Sequence, residues 1–159
     1  MRRVLAKVFL GCLALLAALQ LVPYGWWHEN PPVTLAASFP SAEAEELARA
    51  ACMDCHSNET DWPPYSYVAP MSWLVRRDVE RGREVFNLSE LDRDQEADFD
   101  DAADEVEDGS MPPRQYELAH PGARLSADER ATLVQAFEAM DDRQPDEGDD
   151  RSGSNRGRG

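Results

Sequence analysis

"CMDCHSN", residues 52–58, decides how this chain is read. Two cysteines stand three apart, and a histidine follows the second at once. Zinc binding, dithiol redox chemistry and covalent haem attachment all use such spacing. A structural zinc site needs four ligands. No second CxxC exists, and the other histidines, His28 and His120, sit in no ligand cluster. A thioredoxin-like dithiol wants a βαβ setting, whereas this chain is patterned for helices. A disulfide closed over so few residues stabilises little. Haem attachment uses all three residues. Cys52 and Cys55 at i, i+3 present two thiols on one face of a helical turn, one for each vinyl group of a porphyrin. His56 is then held against the iron as the proximal ligand.

Working outward, the 159 residues suffice for one ordinary domain plus appendages. Composition is 42% hydrophobic, much of it in the first 22 residues. The remainder is modest in core material, and such a domain buries only about two-thirds of its unfolded surface. A large apolar cofactor would help it fold. The net charge of −15 argues against a nucleic-acid partner. Of the three cysteines, Cys12 lies in the apolar N-terminal segment, which leaves Cys52 and Cys55 as the usable pair.

Arg2, Arg3 and Lys7 precede an apolar run from Val8 to Val22, interrupted at Gln20. Counted from Val4, this gives 19 residues, close to the ~20 that a membrane-spanning helix needs. Basic residues before the span place the N-terminus in the cytoplasm and export the rest. A cleaved signal peptide is the competing reading, but no small-x-small site follows the run directly. "FLGC" at 9–12 is a poor lipoprotein box, with too little apolar sequence before Cys12 and too much after it. The expectation is an uncleaved anchor over 1–22 in a bacterial cytoplasmic membrane, with everything beyond it on the extracytoplasmic side.

Residues 23–40 read as an extended tether rich in proline and aromatics, with Trp26 and Trp27 suited to a membrane interface. Residues 41–140 form the domain proper. Ser41 looks like an N-cap, with Glu43, Glu45 and Glu46 in the first turn. Ala44, Leu47, Ala48 and Ala51 follow at helical spacing and lead straight into Cys52. Further helices are expected over about 72–86, 92–108 and 127–140. The last opens with the capping box Ser126–Glu129. Residues 109–125 read as loop. The acidic tail, 141–159, has little to bury and reads as disordered. No strand alternation stands out, so the fold class is all-α.

A low-spin electron carrier closes its second axial site with methionine or histidine. Met53 lies inside the attachment motif, and Met140 lies on an apolar helical stripe. Met111, stiffened by Pro112 and Pro113 in a loop before the last helix, is the preferred distal ligand. Met71 and His120 are the alternatives, and simple packing is the plainer role for a methionine.

The runs "CMDCHSNETDWPPYSYVAPMSWLVRRDVERGREVFNLSEL" and "MPPRQYELAHPGARLS", with the upstream "QLVPYG" and "NPPV", resemble the small bacterial haem-binding domain family. That resemblance spans roughly residues 18–140. It implies a membrane-anchored, exported, cytochrome c-like domain with one covalent haem c. Cys52 and Cys55 would form the thioethers, His56 the proximal ligand, and Met111 of the M-P-P motif the distal ligand. Leu91 and Pro64 depart from the family pattern at packing positions.

Trp62, Tyr65, Tyr67 and Trp73 flank the motif as crevice or core residues. Arg76, Arg77, Arg83 and Arg114 are candidate propionate partners or parts of a solvated face. Residues 90–108 hold eleven acids against Arg93 alone, a solvated face or a docking patch for a basic redox partner. The leading expectation is a monohaem electron carrier rather than an enzyme. A haem-based sensor or accessory module is the second reading, and a peroxidase the third.

Overall fold

The computed structural model describes residues 1–143. Helices and loops make up the described residues, and the one β-type pairing is an isolated bridge between Leu35 and Glu90. The chain forms two compact units. The first comprises residues 1–37 and 49–97; among the described residues the second comprises residues 38–48 and 98–143.

In the first unit, helix α1 covers Arg2–Leu19 and exposes apolar side chains on all sides. The span expected over residues 4–22 is corrected here. The helix stops at Leu19 and carries Arg2, Arg3 and Lys7 within it. No helix among the described residues is long and apolar enough to cross a membrane. The uncharged stretch from Val8 to Leu19 is only about 18 Å of helix, short of a hydrocarbon core of roughly 30 Å.

Helix α2, Ala42–Ala51, begins in the second unit and ends in the first. Ser41 Oγ accepts from the Ala44 N–H at 3.1 Å, as its N-cap position predicts. The helix does not run unbroken into the motif. Cys52 departs from helical geometry (φ −123°, ψ −43°), and the four-residue helix α3, Met53–His56, follows. A short 3₁₀ turn, Pro64–Tyr67, leads to α4, Met71–Val85. Helix α4 buries Ser72, Val79 and Gly82.

Residues 23–37 are extended, as their prolines suggest, but are bonded along their length to the first unit. The Tyr24 hydroxyl donates to Glu80 at 2.9 Å, and Arg76 donates to the Trp27 carbonyl at 2.7 Å. Asn58 donates to the Pro32 carbonyl, Thr34 donates to Asp92, and the Ala37 N–H donates to the Leu88 carbonyl. Gly25, at φ +84°, lies where a Cβ would meet the Ser72 carbonyl at 2.7 Å. The segment is a fitted strap rather than a free tether.

The second unit contains α5 (Phe99–Glu107), α6 (Arg114–Ala119) and α7 (Ala127–Asp141). Helix α5 starts at Phe99, not near Asp92. Asp98 and Asp101 close a reciprocal capping box there, with bonds of 2.9 and 3.2 Å. Helix α6 occupies part of the stretch expected as loop; Pro113 stands at its N-cap with φ −63°, which starts a turn that the following residues propagate. Phe99, Ala103 and Val106 of α5 and Leu133, Phe137 and Met140 of α7 are buried, and the Phe99 and Phe137 rings lie 6.1 Å apart. The Ser126–Glu129 capping box forms as expected. The tail expectation falls outside the described residues beyond Arg143.

Candidate functional site

The Cys52–His56 segment is gripped from three sides within the first unit. Below it, α4 presents Gly82, where a Cβ would stand 2.4 Å from the Cys55 carbonyl oxygen. Only glycine lets the two backbones approach this closely. Ahead of it, the chain after α4 takes His56 at both ends. The Leu88 N–H donates to the His56 carbonyl at 2.8 Å, and His56 Nδ1 lies 2.9 Å from the Phe86 carbonyl. Behind it, the loop after the motif folds back. Ser57 Oγ donates to the Met53 carbonyl at 2.7 Å, and Thr60 Oγ1 donates to the Asp54 carbonyl at 2.7 Å.

The bond to Phe86 settles the imidazole tautomer. A carbonyl oxygen only accepts, so Nδ1 carries the hydrogen and Nε2 keeps a lone pair. Burial lowers the His56 pKa, outweighing the stabilisation that the backbone carbonyls give its charged form. A neutral, oriented imidazole with Nε2 available is the form that ligates a metal.

Cys52 and Cys55 are free thiols, each half-buried. Burial pushes the Cys52 thiol up to about 12, with Cys55 adding to the effect. Burial likewise pushes Cys55 up to about 12, reinforced by the charges of Asp54 and Asp78 and opposed by Arg83. Both therefore stay protonated at neutral pH, which disfavours dithiol exchange. No cluster of three or more metal-binding side chains occurs among the described residues.

Helix α4 continues the site away from the Gly82 contact. Met71, Leu74, Val75 and Asp78 share the Gly82 stripe, and Met71 and Leu74 are 44% and 48% exposed. Met71, Leu74 and Val75 thus give the first half of the helix an apolar surface, with the exposed Asp78 between it and Gly82. Tyr65 belongs to this neighbourhood; burial raises its pKa first, then the charges of Asp54 and Cys55. These features fit a haem: two free thiols on one turn, one oriented ring nitrogen with a lone pair, and exposed apolar side chains on the adjoining helix.

The other sequence candidates divide. Trp62 donates its indole N–H to Asn30 at 3.2 Å, and Tyr67 stacks on His28 at 4.0 Å, so both fasten the strap. The Trp73 indole nitrogen is buried without a partner among the described residues. Arg76 is engaged by Glu80 and the Trp27 carbonyl, and Arg77 is exposed beside Asp78. Arg83 is tied to four oxygens of the strap and the motif loop. Arg114 is exposed at the start of α6.

Met111 belongs to the second unit, half-buried, its N–H donating to the Glu105 carbonyl at 2.9 Å. His120 is in that unit also, stacked on Tyr116 at 4.2 Å. Met71 shares the first unit with His56. The structure thus brings Cys52, Cys55 and His56 together in one turn and holds Met111 in the other unit.

Sequence reasoning missed a buried polar cluster that supports the histidine. Asn58, Asn87 and Ser89 are almost wholly inaccessible. Asn87 donates to Asn58, Asn58 donates to Glu90, and the Asn58 N–H donates to Ser89 Oγ. The cluster fixes residues 86–90 against the motif loop. Its signal was the pair of polar runs "HSN" and "NLSE" beside apolar neighbours.

The family model described as a haem-binding domain matches residues 14–139, most of the chain. The chain belongs to the haem-binding domain family. Its Cys52–His56 turn lies inside the matched region. The chain is also similar to the cytochrome c peroxidase Ccp of Escherichia coli (strain K12), at 26% identity over 129 residues. That stretch is 73% of this chain but 28% of the relative, so the chain spans under a third of that protein's length. No solved structure matches.

Proposed function

We propose that this haem-binding domain is an exported, membrane-associated monohaem c-type cytochrome that passes single electrons. The carrying observation is the His56 ring, locked by the Phe86 carbonyl with Nε2 available, on the same turn as two protonated thiols. Cys52 and Cys55 would hold the porphyrin as thioethers, and His56 would be its proximal ligand. A bound haem supplies a one-electron couple at the iron. The chain supplies the ligand orientation, through Phe86 and Leu88, and an apolar wall from Met71, Leu74 and Val75.

Met111 is the proposed distal ligand and Met71 its rival. The weak long-wavelength band of methionine-ligated ferric haem distinguishes them. Met111→Ala should abolish the band while Met71→Ala retains it; the reverse result reassigns the ligand to Met71. Membrane association rests on the basic start and uncovered apolar surface of α1, with Trp26 and Trp27 exposed at its end of the strap. The acidic face of α5 suits a basic redox partner.

The similarity to a cytochrome c peroxidase favours one second reading, a role in peroxide reduction. Peroxide-dependent oxidation of a reporter dye by the haem-loaded chain would support it. Its absence, with rapid exchange of one electron, supports the carrier.

A further inference from the structure

Arg83 is a half-buried cation with no anion in contact. Its Nε donates to the Ser57 carbonyl at 2.7 Å, immediately after the histidine. One terminal nitrogen donates to the Glu29 carbonyl at 3.0 Å. The other donates to Asn30 Oδ1 and Thr60 Oγ1, each at 2.9 Å. These bonds occupy four of the five N–H donors of a guanidinium. Every acceptor is electrically neutral, and among the described residues no carboxylate lies within ion-pair distance of Arg83. This contrasts with Arg76, Arg81 and Arg93, each of which meets a glutamate. In a chain of net charge −15 an unpaired cation is conspicuous. Burial lowers the Arg83 pKa, so the charge is held against its desolvation by the strap and the motif loop.

The charge also stands at the motif. Arg83 Nε is bonded to the carbonyl of Ser57, the residue directly after His56, so the guanidinium is anchored on the turn that carries the histidine. An arginine remains protonated throughout the accessible pH range, which makes this a fixed charge.

We infer that Arg83 is a tuning residue that favours the reduced form of the haem site, its charge kept out of any direct ion pair by the Glu29–Asn30 strap and the Ser57–Thr60 loop. This rests on the haem reading above. On reduction the site gains one electron from a one-electron donor, its charge falls by one, and no proton need move. A nearby positive charge stabilises that state relative to the oxidised one, so removing it lowers the midpoint potential. The strap thereby gains a second role: it supplies neutral oxygens where a carboxylate would cancel the field.

The test is a redox titration of the haem-loaded full chain with mediator dyes, comparing wild type, Arg83→Gln, Arg83→Lys and Asn30→Asp. Asn30→Asp is nearly isosteric and places a carboxylate on an intact Arg83, while giving up the bond that the Asn30 amide donates to the Thr60 carbonyl at 2.9 Å. Arg83→Gln and Asn30→Asp should each lower the reduction equilibrium constant by roughly tenfold, the scale of one partly screened charge. Arg83→Lys should stay within about twofold of wild type, because the charge persists while the fork is lost. Should Arg83→Gln not mature, Asn30→Asp and Arg83→Lys decide the matter. Equal shifts in the lysine and aspartate variants would reduce Arg83 to a structural clamp and overturn the inference, as would no shift in Asn30→Asp. A wild-type chain without covalent haem contradicts the proposed function itself and is recognised before any titration begins.

Discussion

At the scale of single residues, the thiols and the imidazole are poised in opposite ways. The folded thiol pKa values lie near 12 for Cys52 and Cys55, above the free value. Their neutral form is therefore favoured by folding. The stabilisation is complete below the unfolded pKa of about 8.5 and is lost as pH rises toward the folded value. The haem-free chain should thus weaken in alkali, in a denaturant series from pH 8 upward. Its thiols should also react slowly with iodoacetamide at pH 8, by at least about a hundredfold relative to a free cysteine. Alkylation at the rate of free cysteine would show that burial does not protect them. His56 runs the other way. Its lowered pKa contributes stability above the unfolded value near 6.5, lost as pH falls.

At the scale of elements, the decisive contact is α4 against the Cys52–His56 turn. Gly82→Ala would place a methyl 2.4 Å from the Cys55 carbonyl oxygen, so backbone must move. Overpacking of this kind costs about 1–3 kcal/mol. We expect a lower melting temperature and a sharply reduced yield of covalent haem, read by heme staining of a denaturing gel. Undiminished yield would mean that the turn tolerates displacement. In the second unit, Ser126→Ala removes an N-cap bond and should lower stability by about 1 kcal/mol, with haem attachment unchanged. This pairing of variants separates global stability from site geometry.

Elements also show what the sequence makes readable. The capping residues Ser41 and Ser126 marked their helix starts because a cap is a local event, written within four residues. The Cys52–His56 motif is equally local, written within five residues. The start of α5 was not, because acids before Asp98 are as compatible with helix as with loop until one of them closes a box. Helix α6 is short and follows two prolines, which hid it. The Phe86 carbonyl, the Asn58–Asn87–Ser89 cluster and the Arg83 clamp join residues 23–54 positions apart, beyond any local pattern.

At the scale of the whole molecule, the strap changes the expected mechanics. Residues 23–37 are held by bonds to Glu80, Arg76, Arg83, Asn58 and Leu88. The Gln20 side chain also pairs with both backbone groups of Ala69, at 3.0 Å each, where α1 ends. The haem-carrying unit should therefore move with α1 rather than swing on a leash. Gln20→Ala should raise amide exchange in residues 20–27 without changing haem attachment. Unchanged exchange there would show that the pairing does not hold the junction. Deletion of residues 1–19 should release the domain from the membrane fraction; a domain that sediments regardless is retained by another surface.

The central claim is the covalent bond from both cysteines to one haem. Its most direct measurement is the intact mass, under denaturing conditions, of the full chain produced with cytochrome c maturation machinery. The account predicts an adduct of one haem that persists in acid–acetone and is reduced or lost when either Cys52 or Cys55 becomes serine. A chain recovered at the mass of the polypeptide alone, or one whose pigment acid–acetone removes, would contradict it.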